Sequence, residues 1–223
     1  MGSMIELKAA DGHPLVAYRT QPAGKARGAV VVIQEIFGVN SHIKGVADGY
    51  AADGYLVIAP AMFDRAQRNY DTGYSQPEIQ AGVAVMQKLD WKQTLLDVDA
   101  ALGEAKKAGK VGIVGYCWGG TVSWVAAARS AGLACAAPYY GGGMPEFIGD
   151  KPKCPTMCHF GELDQSPTLE QSKAIAKAHP EVSAHFYPGA GHGFNCDQRG
   201  SYNAEASKLA RQRTVEFFRK HLG

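Results

Sequence analysis

The chain has 223 residues, of which 46% are apolar, 20% charged and 9% aromatic, and this composition is typical of one globular domain rather than of a disordered chain. The formal net charge is only +2 and no basic run is longer than Lys106-Lys107, so we expect neither a nucleic-acid partner nor an anionic membrane surface. No apolar run approaches the roughly 20 residues that cross a bilayer, and the first residues lack a secretory signal, so we expect a cytoplasmic protein.

The order of elements along the chain predicts an α/β fold. Residues 1–3 precede a second methionine and are typical of a cloning remnant, which leaves residues 4–223 as a single domain. Residues 4–20 predict an antiparallel edge, after which short β-branched runs alternate with helical patterns. This alternation predicts a mostly parallel central sheet with helices on both faces. The predicted strands are Ala29–Ile33, Tyr55–Ala59, Val111–Val114, Ala134–Pro138, Pro155–His159 and Ala184–Tyr187. The predicted helices cover residues 41–53, 78–89, 92–108, 119–130, 168–178 and 202–221.

Residues 62–90 interrupt this alternation with a polar and aromatic stretch, followed by the predicted helix 78–89. We interpret the stretch as an insertion over one end of the sheet. Two alternatives stay open at this stage, a solvated connection or a lid that selects substrate.

The motif Gly115-Tyr116-Cys117-Trp118-Gly119-Gly120 lies between a predicted strand and a predicted helix. A strand-to-helix elbow projects its central side chain from a sharp turn, and glycines two positions to either side relieve backbone crowding. Cys117 therefore occupies the position of a nucleophile. The N-terminus of the following helix favours both a thiolate and the oxyanion that forms after attack. The alternative is a small buried cysteine among packing glycines.

Two downstream residues complete a candidate catalytic set. His192 lies in Gly189-Ala190-Gly191-His192-Gly193-Phe194, a glycine-rich loop after the last predicted strand, and is the best candidate for the general base. Asp164 follows the strand predicted at Pro155–His159, where a carboxylate can orient the base by accepting its ring N–H. Glu162 is the competing acid.

A second motif, Gln34-Glu35-Ile36-Phe37-Gly38, follows the strand predicted at Ala29–Ile33. Glu35 is a candidate to accept the thiol proton or to restrain the resting cysteine, although a plain loop carboxylate is an alternative. The backbone N–H groups of Ile36 and Trp118 are candidates for an oxyanion hole.

The remaining patterns predict neither a metal nor a cofactor. Cys154-x-x-x-Cys158-His159 lacks common zinc spacing and lies on a predicted strand, whose successive side chains face opposite sides. No dinucleotide-binding fingerprint is present, because Gly115-x-x-x-Gly119-Gly120 lacks the early glycine pair. The five cysteines are odd in number and scattered, which indicates reduced thiols rather than a disulfide framework.

Together these motifs resemble the dienelactone hydrolase family of the α/β-hydrolase fold. The resemblance covers nearly the whole chain and depends on residues 34–38, residues 115–120, Asp164 and residues 191–194. It implies a triad of Cys117, His192 and Asp164, with Glu35 interacting with the thiol and with Ile36 and Trp118 supplying the oxyanion hole. It also implies that the enzyme hydrolyses lactones or activated esters. In members specific for dienelactone, an arginine four residues after the catalytic histidine helps to hold the substrate carboxylate, and here that position is Cys196.

We therefore expect a cysteine-dependent hydrolase of small lactones or activated esters, present as a monomer or a small homo-oligomer and acting through an acyl-thioester. Because a thiolate is a good leaving group, attack on a simple alkyl ester tends to reverse, so enol, phenol or lactone oxygens are the expected leaving groups. One alternative is a thioesterase or broad carboxylesterase on the same fold. The other is a non-catalytic thiol sensor.

Overall fold

The computed structural model describes residues 2–223; Met1, the first residue of the predicted cloning remnant, lies outside this range. The described chain forms two compact units. The first comprises residues 2–111 together with Leu222, and the second comprises residues 112–221 together with Gly223.

The strands of the first unit run in the spatial order β1-β2-β4-β3. β1 pairs antiparallel with β2, and β2 pairs antiparallel with β4, whereas β3 and β4 are parallel. The antiparallel edge predicted for residues 4–20 is confirmed, and it includes Ser3 of the predicted remnant, which pairs with Arg19. The four strands are β1 (Ser3–Lys8), β2 (Pro14–Thr20), β3 (Ala29–Ile33) and β4 (Leu56–Pro60).

At the start of each of the three α-helices of the first unit, a side chain accepts a hydrogen bond from a backbone N–H group. The Asn40 side chain accepts from Ile43 N–H, and the Asp90 side chain accepts from Gln93 N–H. Glu78 accepts from the Ser75 hydroxyl and backbone N–H, which lowers the pKa of Glu78 to about 2. The helices are α1 (Ser41–Ala52), α2 (Gln76–Met86) and α3 (Trp91–Ala105).

The insertion before α2 is hydrogen-bonded to the loop that follows β3. Thr72 N–H donates to the Phe37 carbonyl at 3.1 Å, Gly38 forms a β-bridge with Asp71, and the Asn40 amide donates to the Tyr74 hydroxyl at 2.9 Å. These bonds favour a fixed cover on that loop over a solvated connection.

All strands of the second unit are parallel, in the order β5-β6-β7-β8. Parallel strands place their carboxyl ends at one edge of the sheet, where function concentrates in open α/β sheets. The elements are β5 (Val111–Tyr116), α4 (Trp118–Arg129), β6 (Cys135–Tyr139), β7 (Met157–Gly161), α5 (Leu169–Ala178), β8 (Ser183–Tyr187) and α6 (Ala204–Leu222).

The strand predicted at Pro155–His159 lies two residues later in the structure, as β7. Proline has no N–H to donate, and Pro155 contributes only its carbonyl, which accepts from Ala136 N–H at 3.0 Å. His159 is therefore an interior residue of β7 rather than its last residue. Among residues 2–223, the longest helices are too short or too polar to cross a bilayer.

Candidate active site

Cys117 connects β5 directly to α4 in a strained conformation. Its backbone angles are φ 56° and ψ −120°, a region that non-glycine residues rarely adopt and that recurs at functional sites. Cys117 N–H donates to the Tyr139 carbonyl at the end of β6 (3.1 Å). A Cβ at Gly115 would overlap the Gly119 carbonyl, and one at Gly120 would overlap the Tyr139 carbonyl. The elbow therefore requires glycine at both positions.

The N-terminus of α4 lies immediately after Cys117. Trp118 is the first residue of the helix, and the Cys117 carbonyl accepts from Gly120 N–H at 2.9 Å. Because the positive end of a helix dipole stabilises nearby negative charge, this position suits a side chain at which negative charge develops during a reaction.

His192 connects Cys117 to Asp164. His192 Nε2 lies 3.0 Å from Cys117 Sγ, and His192 Nδ1 lies 3.0 Å from Asp164 Oδ2 and 3.2 Å from Oδ1. Asp164 is buried and also accepts from Ser166 N–H at 2.8 Å. Of the two acids that the sequence offered, Asp164 rather than Glu162 is hydrogen-bonded to the histidine.

The loops that carry Asp164 and His192 are fastened to each other. Leu163 N–H donates to the Ala190 carbonyl at 2.9 Å, and Glu162 N–H donates to the Tyr187 carbonyl at 3.0 Å. A Cβ at Gly161 would overlap the Ala190 carbonyl, so glycine at the end of β7 permits the close approach. The separation between the acid and the base is thus fixed by backbone contacts.

The charges around His192 favour its protonated form. Burial lowers the pKa of His192, but the negative charge of Cys117 and the hydrogen bond to Asp164 outweigh burial and raise this pKa well above its usual range. The arrangement thus stabilises an imidazolium at His192, between Cys117 and Asp164.

The other thiols are wholly or partly buried. Burial raises the pKa of Cys135, Cys154 and Cys158, and Cys196 is fully buried. Cys117 is partly exposed and adjoins a histidine, which is the environment of a reactive rather than a structural cysteine.

Sequence reasoning missed two tyrosines that contact this site. The Tyr139 carbonyl holds the elbow, as described above, and the Tyr140 ring lies edge-on to His192 with centroids 5.4 Å apart. Tyr140 has a positive φ of 36°, and its N–H donates to the His159 carbonyl at 2.8 Å. The signal in the sequence was a tyrosine pair directly after a buried strand and before three glycines.

A buried hydrogen-bonded cluster, which we call the His159 cluster, supports these tyrosines. The Thr214 hydroxyl of α6 lies 2.9 Å from the Ala210 carbonyl, 2.6 Å from the Tyr139 hydroxyl and 3.0 Å from His159 Nε2. When its single proton is donated to the carbonyl, the hydroxyl oxygen accepts from both Tyr139 O–H and His159 Nε2–H. His159 Nδ1 is then an acceptor for the Tyr187 hydroxyl at 2.7 Å.

The proton arrangement of the cluster makes His159 a neutral imidazole. Burial, together with the charges of His185 and Arg213, lowers its pKa well below the usual range. Both ring nitrogens are engaged by hydroxyl groups, which leaves His159 no free nitrogen for a metal ion at the Cys154-Cys158-His159 segment.

Glu35 and Ile36 lie in the first unit, on the loop after β3. Glu35 is fully buried and Ile36 is 8% exposed. A buried carboxylate is costly unless it is paired or hydrogen-bonded, so its retention here favours a specific role over that of a plain loop residue.

The sequence is similar to those of a known hydrolase family. A model of the dienelactone hydrolase family matches residues 15–222. A Synechocystis sp. protein named "Putative carboxymethylenebutenolidase" is 33% identical over 93% of this chain and 92% of its own length.

Solved structures show the same fold. "Putative Dienelactone Hydrolase" from Klebsiella pneumoniae superposes with a TM-score of 0.84 at 27% identity, covering 98% of this chain and 99% of that one. A dienelactone hydrolase-like promiscuous phosphotriesterase from metagenomic libraries gives a TM-score of 0.81 at 21% identity, covering 100% of this chain and 99% of that one. The predicted α/β-hydrolase fold, with a mostly parallel sheet and helices, is confirmed.

Proposed function

Because the chain belongs to the dienelactone hydrolase family and is a hydrolase acting on esters, we propose that it cleaves lactones or activated esters with Cys117 as nucleophile. The observation that carries the proposal is the continuous contact from Cys117 Sγ through His192 to Asp164. Nucleophile, base and orienting acid within hydrogen-bond reach are the geometric signature of covalent catalysis.

In the acylation step, the Cys117 thiolate attacks the carbonyl carbon and forms a C–S bond. The carbonyl oxygen becomes an oxyanion, which then collapses and breaks the bond to the leaving oxygen. That oxygen takes the Nε2 proton of His192. In a lactone the leaving oxygen stays attached as the new hydroxyl of the acyl chain.

In the deacylation step, neutral His192 removes a proton from water while the water oxygen attacks the thioester carbon. Collapse of the second tetrahedral intermediate breaks the C–S bond and restores the thiolate beside a protonated His192. Asp164 holds the ring in the required orientation and stabilises its charge throughout.

Two residues of the first unit and one of the second complete the proposed machinery. The backbone N–H groups of Ile36 and Trp118 stabilise the oxyanion, and Glu35 exchanges a proton with, or restrains, the Cys117 thiol. Support comes from the family motif at residues 34–38, from the burial of Glu35 and from the position of Trp118 as first residue of α4.

The proposed substrates lack a carboxylate that needs an arginine anchor. Cys196 stands where dienelactone-specific members carry that arginine, and its side chain is fully buried. We therefore expect aryl or enol esters and neutral lactones to be hydrolysed faster than dienelactone itself.

The test is steady-state hydrolysis of an aryl acetate, a neutral enol lactone and cis-dienelactone by the parent, by Cys117→Ala and by the matched control Cys154→Ala, which removes a half-buried thiol. We expect turnover in the parent and the control and none in Cys117→Ala. Equal turnover in all three would exclude Cys117 as nucleophile.

The same assay separates the alternative functions. A thioesterase would prefer an acyl thioester over the aryl acetate, and a broad carboxylesterase would hydrolyse simple alkyl esters nearly as fast. A single stoichiometric burst without turnover would indicate a thiol sensor. A thiolate nucleophile predicts that alkyl esters are poor substrates, because their alkoxides leave less readily than the thiolate does.

A further inference from the structure

Gln34 is a fully buried amide between β3 and Glu35. Its Nε2 donates to the Glu35 carbonyl at 3.3 Å, and its Oε1 accepts from Met62 N–H at 3.1 Å. Met62 is itself buried and follows β4, the strand parallel to β3. The side chain thus ties the peptide between residues 35 and 36 to the end of a neighbouring strand.

This tie fixes the direction of one backbone N–H group. In a planar trans peptide the carbonyl and the following N–H point in opposite directions. The Glu35 carbonyl and the Ile36 N–H belong to the same peptide, so the bond from Gln34 sets where the Ile36 N–H points. Rotation of that peptide would break the bond and leave a buried amide donor without its partner.

The carbonyl groups of the next two residues, Ile36 and Phe37, contact the insertion at residues 62–90. A Cβ at Gly82 of α2 would overlap the Ile36 carbonyl, and the Phe37 carbonyl accepts from Thr72 N–H at 3.1 Å. With these neighbours fixed, the peptide between residues 35 and 36 has little freedom to compensate for loss of the Gln34 bond.

We infer that Gln34 is a positioning residue that aims the Ile36 N–H at the oxyanion formed during hydrolysis. The inference rests on the proposed function, in which that N–H is an oxyanion donor. A glutamine amide meets both demands of the position without titrating, because it offers an acceptor to Met62 and a donor to Glu35 at the same time.

Two substitutions of similar size separate the two bonds. Gln34→Glu keeps an acceptor for Met62 N–H but, when ionised, has no donor for the Glu35 carbonyl. Gln34→Met removes both bonds. Thr94→Val is the matched control, because it also removes a bond from a buried side chain to a backbone carbonyl, that of Asp90 (2.9 Å), at the start of α3.

The expected signature is a loss confined to reactions that form an oxyanion. Removing one oxyanion donor typically lowers the rate about 10²–10³-fold, and a misaimed donor should cost somewhat less, about 10- to 100-fold in kcat/KM for an aryl acetate. Alkylation of Cys117 by iodoacetamide forms no oxyanion, so its rate should match the parent in both variants. Thr94→Val should leave both reactions unchanged.

The pH dependence of Gln34→Glu gives a second readout that a structural role would not produce. A protonated carboxyl group regains an O–H donor, so the activity of this variant relative to the parent should rise as the pH falls. Gln34→Met has no such group, and its relative activity should stay flat across the same range. If Gln34→Met does not fold, Gln34→Glu alone supplies the rate and the profile.

Unchanged kcat/KM in the Gln34 variants, or an equal loss of hydrolysis and alkylation, would overturn the inference. The proposed function fails separately, if the parent itself shows no turnover. In that case the affinity of an aryl trifluoromethyl ketone, which forms a tetrahedral adduct with a thiolate, is measured by protection of Cys117 from alkylation. The inference then requires that the Gln34 variants bind the ketone more weakly than the parent does, and equal affinity in variants and parent overturns it.

Discussion

His159 packs on the Tyr139 ring and His192 on the Tyr140 ring of the second unit, but the two histidines have opposite electrostatic surroundings. His192 contacts a buried carboxylate and a thiol, and its pKa is raised. The ring nitrogens of His159 bond to the neutral hydroxyl groups of Tyr187 and Thr214, and burial together with the charges of His185 and Arg213 lowers its pKa. Both rings are hydrogen-bonded at both nitrogens, so the number of bonds does not distinguish them.

The difference lies in the charge of the partners and in access to solvent. A carboxylate and a thiolate stabilise an imidazolium. Neutral hydroxyl groups in the protein interior do not offset the free energy that an imidazolium loses when it is removed from water. The sheet thus holds one histidine suited to proton transfer and one suited to fixing the strands around it. Four predictions test this division of roles.

Replacing the charged partner of His192 should give the largest effect. Asp164→Asn retains the shape but removes the charge and can fix the wrong tautomer, so we expect kcat to fall about 10³–10⁴-fold with little change in thermal unfolding. Glu162→Gln is the matched control, and its kcat should equal that of the parent. An equal fall in both variants would show that Asp164 is not the specific partner.

The same substitution should alter the pH dependence of Cys117 alkylation. The raised pKa of His192 keeps a positive charge beside the Cys117 sulfur over a wide pH range. In Asp164→Asn that pKa falls, so the alkylation rate should depend on a more alkaline ionisation than in the parent. Rates of iodoacetamide labelling from pH 5 to pH 9 measure it, and superimposable profiles would contradict the assigned cause.

Removing a hydroxyl partner of His159 should affect stability rather than chemistry. Thr214→Val deprives two buried groups, Tyr139 O–H and His159 Nε2–H, of their acceptor, at about 1–3 kcal/mol for each. Urea unfolding should show this loss, while kcat changes far less than in Asp164→Asn. Thr214→Ser keeps the hydroxyl and should recover most of the stability. A variant that keeps its stability but loses turnover would assign the cluster a catalytic role instead.

The smallest effect should come from acid titration of His159. Its pKa in the folded protein lies below the unfolded value of about 6.5, so as the pH falls below about 6.5 only the unfolded chain takes up the proton. The contribution of neutral His159 to the free energy of unfolding is therefore fully present above that pH. It declines as the pH falls towards the pKa of the folded protein, at no more than about 1.4 kcal/mol per pH unit.

His159→Gln supplies a donor and an acceptor without a titrating group, so its stability should decline less between pH 7 and pH 5 than that of the parent. His185 stacks on His159 and also has a lowered pKa, and Arg213 acts on both rings. His185→Gln is therefore measured alongside, and identical slopes in the parent and His159→Gln would assign the decline to other groups.

Local sequence patterns were enough to predict the elbow and most strands. Gly115 and Cys117 are recognisable because a sharp strand-to-helix turn constrains its own residues. The strand predicted at Ala29–Ile33 contains four consecutive β-branched residues and matches β3 residue for residue. Features that depend on distant partners were not predictable. The sequence around His159 does not indicate a structural role, because that role arises from its bonds to Thr214 and Tyr187. Gln34 is distinguished from an ordinary loop glutamine by its bond to Met62, which is 28 positions away.

Because the other thiols are wholly or partly buried, labelling of Cys117 can measure the concentration of intact sites. With Cys135, Cys154 and Cys158 held protonated at neutral pH and Cys196 enclosed, a mild electrophile meets one receptive sulfur per molecule. The amount of label incorporated by the purified protein would then report the number of correctly folded elbows in a preparation, without knowledge of the natural substrate. Each purification or variant could thus be normalised by site occupancy rather than by total protein.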